Sequence, residues 1–401
     1  MSGFSMSLLG DQIWFVALGW SASRLGSPLQ TSAVMACASI PRALLILLGG
    51  TLSDRHGALR LALASQTGRI VTMAAASALL LLLGPHVALL ICTAVAFGAL
   101  DAVHMPAAAS LPPQLVGKNS LPAAQGAVQT LERTATVAGA PLGGLIVAFH
   151  GLGLATAVNA LLFTAALAVL RRLKEHVPAP AAQADAEAES TWRALRAGLS
   201  YARTQPVIGP LLLVITALNL CLAAPINVGI ALLASARGWG STGFSALVTG
   251  FALGGIAGAL FSASRKSPAR PGALGLRWAA ACGAATALLP WFPQLPAAAT
   301  VTTLIGFTTG PAGSMLFGLI QARTHDDYRG RIMSLTTFSA LGLTPLSYTL
   351  FGLLTSTFGS TAAFLSCAGA LTAASTLAYT SRTLRTATLA TDPKPNPAKT
   401  A

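Results

Sequence analysis

Charge is what this chain is short of. Asp, Glu, Lys and Arg together make up 9% of its 401 residues, only 11 of them acidic, while 54% are hydrophobic. A water-soluble fold of this size could not cover its surface with so few polar groups, so lipid is the solvent the composition calls for. Cysteine is also sparse. Cys37, Cys92, Cys221, Cys282 and Cys367 stand singly in apolar runs without CxxC spacing, which excludes a disulfide framework or thiolate metal site and leaves them as small packing residues. No GxxxxGK[ST] loop is present to cradle nucleotide phosphates, so an ATP-driven pump within this chain is excluded. HExxH and GxSxG are missing too, and neither catalysis nor a metal site is expected. The first apolar run has neither a basic segment before it nor a small-residue cleavage site after it, and is expected to be retained.

What is present is a series of apolar stretches about twenty residues long, the length a helix needs to cross a hydrocarbon core. They fall near 4–26, 29–51, 59–83, 86–108, 120–149, 151–172, 207–235, 243–264, 272–292, 297–322, 331–356 and 359–380. The runs are continuous rather than alternating, which favours helices over a barrel. The expected fold is an all-α membrane protein with twelve transmembrane helices in two six-helix bundles.

The net charge of +14 invites a nucleic-acid reading, but a nucleic-acid binder gathers its basic residues on one soluble face. Here they lie in alternate loops. With the N-terminus placed inside, the outer side keeps only Arg24 and Arg237, Arg42, Arg69 and Arg133 fall within spans, and the rest of the 25 Lys and Arg lie inside. The positive-inside rule therefore predicts cytoplasmic termini in a plasma (inner) membrane. Attraction of basic loops to anionic lipid predicts the same bias.

The expected organisation is an N-terminal bundle over 1–172, a linker over 173–206, a C-terminal bundle over 207–381 and a disordered cytoplasmic tail over 382–401. The linker, opening RRLKEHVPAPAAQADAEAES, has too little apolar surface to fold alone. Within it Trp192, Leu195 and Leu199 share one helical face opposite Arg193, Arg196 and Arg203, the pattern of an interfacial helix. Two six-span halves also invite a search for repetition. Gly50-Thr51-Leu52-Ser53 ends span two and Gly258-Ala259-Leu260-Phe261 ends span eight, at equivalent places.

The loop after span two reads GGTLSDRHGALR. Gly50-x-x-x-Asp54-Arg55-x-Gly57 resembles the loop signature of the major facilitator superfamily. Gly50 allows close helix approach, Gly57 a tight turn, and Asp54 can meet the positive end of a facing helix. The resemblance implies a gating latch to which Arg60 contributes, and Asp101 is expected to join it by pairing with Arg55, Arg60 or Arg69. Where most members carry two basic residues after the second glycine, this chain has Ala58 and Leu59. Gly139-Ala140-Pro141-Leu142-Gly143-Gly144 is similar to the glycine-proline element of members that export by antiport, with Ala140 in place of a glycine; a merely kinked packing helix is the alternative. Leu9-Gly10-Asp11, Met105-Pro106 and Asp326-Asp327-Tyr328-Arg329-Gly330-Arg331 extend the likeness to the branch of enterobactin exporters and macrolide or multidrug efflux proteins. The resemblance covers nearly the whole chain.

Ionisable residues inside a membrane are costly and are functional candidates by default. Asp11 and Glu132, with Arg133 beside the latter, are the proton-coupling candidates; the alternative is a buried ion pair of either carboxylate with Arg42 or Arg133. His104 reads as a hydrogen-bonded helix-end histidine rather than a relay. Trp14, Trp20, Gln129, Asn219, Asn227 and Tyr348 are candidates to line a midplane substrate cavity, though each could instead satisfy a neighbouring helix. Few polar anchors suit a bulky amphiphile. The expected function is proton-coupled export of a small molecule by a monomer, with no cofactor beyond the proton gradient and no nucleic-acid partner. A nutrient importer on the same fold and a non-transporting scaffold or sensor are the competing readings.

Overall fold

The computed structural model describes residues 2–111, 121–172, 191–265 and 268–387, and every described element is helical. The linker stretch 173–190 and the tail from 388 lie outside the described residues, as do the side chains of Asp54, Arg55, Gln129 and Arg133 and the surroundings of Gly50. In the first half α1 spans Ser2–Leu25, α2 Pro28–His56, α3 Ala58–Leu83, α4 Val87–Ala109 and α5 Leu121–Arg172. A short helix α6, Thr191–Thr204, precedes the second half. There α7 (Ile208–Ala224) runs through a π-helical turn, Pro225–Gly229, into α8 (Ile230–Ala236); then come α9 (Gly240–Ser264), α10 (Pro271–Leu288), α11 (Leu295–Arg323), α12 (Asp326–Thr337), a second π-helical turn at Phe338–Gly342, α13 (Thr344–Thr380) and α14 (Arg382–Thr386).

Eight described stretches are long and apolar enough to cross a membrane. Two of these, Thr130–Arg172 and Tyr328–Thr380, hold 43 and 53 residues and cross twice. Each reverses at one glycine, Gly151 (φ 74°) and Gly359 (φ 85°), in the left-handed region that a side chain would strain. With α1 and α2 these make twelve spans, at the places the sequence predicts. Pro225 explains the first π-helical turn: it has no N–H to donate, and the ladder resumes one residue wider, with the Ile230 N–H on the Pro225 carbonyl.

One constant shift along the sequence carries the first half onto the second. It takes Gly50 to Gly258, Val87 at the start of α4 to Leu295 at the start of α11, Gly151 to Gly359, and Arg172 at the end of α5 to Thr380 at the end of α13. The same shift relates the two seams between the bundles. Gly144 of α5 lies against Ser245 and the Ser241 carbonyl of α9, and Gly352 of α13 lies against Ser32 of α2. A side chain at either glycine would occupy space the facing serine already fills, so glycine is what lets the bundles meet.

The helix expected in the linker is α6. It docks on the second half, with the Tyr201 and Tyr328 rings stacked 4.1 Å apart and the His325 N–H donating to the Tyr201 hydroxyl at 3.3 Å. The start of the tail departs from the expected disorder, because Arg382–Thr386 is helical. The cause is Leu384, which is fully buried with its carbonyl lying over Gly272 at the start of α10.

Candidate functional site

The first bundle holds a charge network at its centre. Arg69 sits midway along α3, fully buried. Its guanidinium pairs with Asp11 of α1 and lies 3.5 Å from the Asp101 carboxylate of α4. Asp101 pairs in turn with Arg42 of α2. Four helices thus supply two carboxylates and two guanidiniums. A buried ion repays its desolvation only with close geometry and additional hydrogen bonds, and Arg69 has both. Nη1 donates to the Ser7 hydroxyl at 3.0 Å and to Gln66 Oε1 at 3.2 Å. Gln66 then donates to the Phe163 carbonyl at 3.1 Å. The guanidinium also lies 4.3 Å from the Phe163 ring centroid and 4.9 Å from that of Phe97, within cation–π range.

The two carboxylates differ in access. The Asp101 side chain is 2% exposed and Asp11 24%. Asp101 is sealed among Arg42, Arg69 and His104, whose Nδ1 shares a 3.1 Å hydrogen bond with the Ser65 hydroxyl. Asp11 meets Arg69 and is otherwise partly exposed. Arg42, 31% exposed, marks a second edge of the network.

Some predicted residues join this network and others do not. Asp101 meets Arg69 but takes Arg42 as its close partner, and Arg60 is exposed at the start of α3. Asp11 pairs with Arg69 rather than with Arg42 or Arg133. Glu132 is half-buried in α5. Gly57 is the one-residue turn between α2 and α3, with φ 83°. Gly139 and Gly143, one helical turn apart, both face α1, against Gln12 and Leu9 and against Ile13 and Val16. Gly144 points the other way, to the seam, where the Ser241 hydroxyl donates to its carbonyl at 2.9 Å. Pro141 lies half-buried between these two contacts.

The aromatic and amide candidates sit mainly in packing positions. Trp14 is 3% exposed and packs on Phe97 at 5.7 Å, within the first bundle. Trp20 crosses the seam to stack on Phe244 at 6.3 Å. Tyr348 is 2% exposed, and its hydroxyl lies beside Asn227 of its own bundle and Ser39 of the other. Asn227 also donates to the Ala223 carbonyl at 2.8 Å, while Asn219 reaches Ser339 at 3.4 Å. Below Trp20, the Ser235 hydroxyl donates to the Ser23 carbonyl at 3.3 Å. The Trp20–Phe244 and Ser235–Ser23 contacts close the seam at the end where α1 turns into α2 and α8 into α9.

Gln66, Ser7 and Arg42's role as close partner of Asp101 are features the sequence reading missed. Gln66 carries a usable signal: it is an amide inside an apolar span, three residues before Arg69 and so on the same helical face.

The sequence profile of the Major Facilitator Superfamily matches residues 1–345. No curated protein matches the chain. Among solved structures, the chain is similar in fold to the nucleoside transporter NupG (13% identity, TM-score 0.72, 94% of this chain and 98% of that one). It is similar as well to a bacterial homologue of the iron transporter ferroportin in an inward-facing state (17%, 0.66, 94% and 95%). The human organic anion transporter MFSD10 (TETRAN) is a third (16%, 0.62, 94% and 97%). A profile match over most of the chain, twelve membrane spans and a duplicated six-span build have one explanation: this multi-pass membrane protein belongs to the Major Facilitator Superfamily.

Proposed function

We propose that the chain is a proton-coupled secondary transporter that exports a small amphiphilic molecule by alternating access, its two bundles rocking about the glycine seams. The observation that carries this reading is Arg69 bracketed by two carboxylates of unequal access. A proton reaching Asp11 removes one partner of Arg69 while Asp101 retains the cation, so neutralisation releases α1 from α3 without stranding a buried charge. The same helix carries Trp20 and Ser23 into the seam. Loosening α1 at Asp11 therefore bears on closure at its far end.

Export is favoured by the Gly139–Gly144 segment, which joins α1 to one face of α5 and the opposite bundle to the other. An amphiphilic substrate is in keeping with the small number of polar anchors among the candidate residues. Asp54 is assigned to the gating loop, with termini cytoplasmic. Reconstituted vesicles with an acidified interior test the whole reading: everted vesicles should accumulate a toxic amphiphile, and a protonophore should abolish the uptake. Asp11→Asn should remove the protonophore effect. If Asp11→Asn responds as wild type does and Glu132→Gln does not, coupling belongs to Glu132; uptake only into right-side-out vesicles would make the chain an importer.

A further inference from the structure

A cavity of about 410 Å³ opens at the linker-side end of the second bundle, between the start of α10, the end of α13 and α14. Arg270, Arg277 and Arg385 line it together with Tyr379, and no carboxylate is among its lining residues. The arginines are organised rather than scattered. Arg277 Nη2 donates to the Tyr379 hydroxyl at 2.6 Å, with its guanidinium 5.3 Å from that ring, and Arg385 lies 6.0 Å from the same ring. Buried Leu384, seated over Gly272, holds α14 as the third wall.

Arg277 is the informative member. It lies two turns inside a membrane span, on the exposed face of α10. Its neighbour Trp278 packs edge-on against Phe261 and Phe307 at 6.1 and 5.9 Å, an aromatic cluster of the kind found at headgroup depth. A cation facing lipid there is costly unless an anion meets it. A soluble anion would have to enter the bilayer to do so, whereas a phospholipid presents its phosphate at that depth.

We propose that this cavity binds the phosphate of an anionic phospholipid headgroup in the leaflet on the linker side, with Arg277 and Arg385 gripping it and Tyr379 aligning both. Basic pockets between membrane helices have the chemistry for such headgroups, and this volume admits one. The site is separate from the charge network of the first bundle and does not depend on the direction or coupling of transport.

The test is lipid retention by the purified full-length protein, read by native mass spectrometry after incubation with phosphatidylglycerol or phosphatidylcholine. Wild type should retain phosphatidylglycerol in preference. Arg277→Gln combined with Arg385→Gln should lower that retention about tenfold, and leave phosphatidylcholine unchanged. Arg265→Gln, a charge stacked on Phe261 beside the cavity, should retain lipid as wild type does. Should the double variant fail to elute as a folded protein, Tyr379→Phe decides, since it keeps the ring and removes the acceptor of Arg277; a drop of about threefold supports the site. Unchanged retention in these variants, an equal loss in Arg265→Gln, or displacement of the lipid by millimolar inorganic phosphate would each overturn the proposal.

Discussion

The two bundles share a backbone plan and differ in what they bury. The shift that superimposes Gly144 on Gly352 and Gly151 on Gly359 also carries Asp11 onto Asn219 and Arg69 onto Arg277. In the first half the arginine is fully buried, clasped by two carboxylates and two aromatic rings. In the second it stands on the exposed face, hydrogen-bonded to Tyr379. The aspartate becomes an asparagine that reaches only Ser339. Between 207 and 381 the sole acidic residues are Asp326 and Asp327, at the start of α12. Hinges and seams are thus kept in both copies, as the proposed rocking would need twice, while a carboxylate beside an arginine is kept in one. Under the proposed function, the first half senses protons and the second does not.

The strongest way to break this asymmetry is Arg69→Ala. It leaves Asp101 with Arg42 alone and Asp11 without its partner, and removing one member of a buried ionic cluster costs about 3–5 kcal/mol. Thermal unfolding in detergent should show a large loss of stability, whereas Arg277→Ala at the equivalent position should cost under about 1 kcal/mol. Equal losses would mean that the buried pairing of Arg69 contributes no more than the exposed contact of Arg277, and the asymmetry would fall.

The seams should behave alike where the charges do not. Gly144→Val and Gly352→Val each drive a side chain into a serine of the opposite bundle, an overpacking worth about 1–3 kcal/mol against the closed seam. Disulfide yield between cysteines placed at Ser23 and Ser235, in a background without the native cysteines, should fall in both variants. A loss in one alone would show that only one seam carries closure.

Exchanging the acid between halves sharpens the comparison further. Asp11→Asn reproduces the second half in the first, and Asn219→Asp does the reverse. The first should cost about 1 kcal/mol, since Arg69 keeps Asp101, and should abolish protonophore sensitivity. The second places a carboxylate beside the Ser339 hydroxyl. It should raise sensitivity to acid without restoring coupling to Asp11→Asn; restored coupling would show that either half can sense protons.

How far this was legible in the sequence depends on the scale asked. Span positions and turns were readable because they rest on length, apolarity and glycine, which act locally. The charged residues were readable as a set, since any ion in an apolar run stands out. Their pairing was not, because whether Arg69 meets Asp11 or Asp101 depends on how α1, α3 and α4 are rotated against one another. The same limit placed Trp14 and Tyr348 among cavity candidates, where the structure packs both into bundle contacts. In a soluble helix the polar face reveals the buried one. In a membrane helix lipid and core are equally apolar, so the pattern does not say which side of α1 Trp14 occupies.

The smallest predicted effect concerns an uncharged side chain that sits between the halves. The Tyr348 hydroxyl lies beside Asn227 and Ser39, on opposite bundles. Phenylalanine keeps the ring in place and removes the hydroxyl, which costs about 1 kcal/mol if the partners stay buried in the closed seam. Opening the seam frees Ser39 from Asn227 and lets water satisfy both, so the penalty falls on the closed form alone. Tyr348→Phe should therefore shift the closed-to-open ratio by about fivefold, seen as a partial fall in the Ser23–Ser235 disulfide yield, while leaving proton dependence as in wild type. A change in proton dependence would tie Tyr348 to Arg42 and the charge network, and the division between a sensing half and a neutral half would then run through this hydroxyl rather than between the bundles.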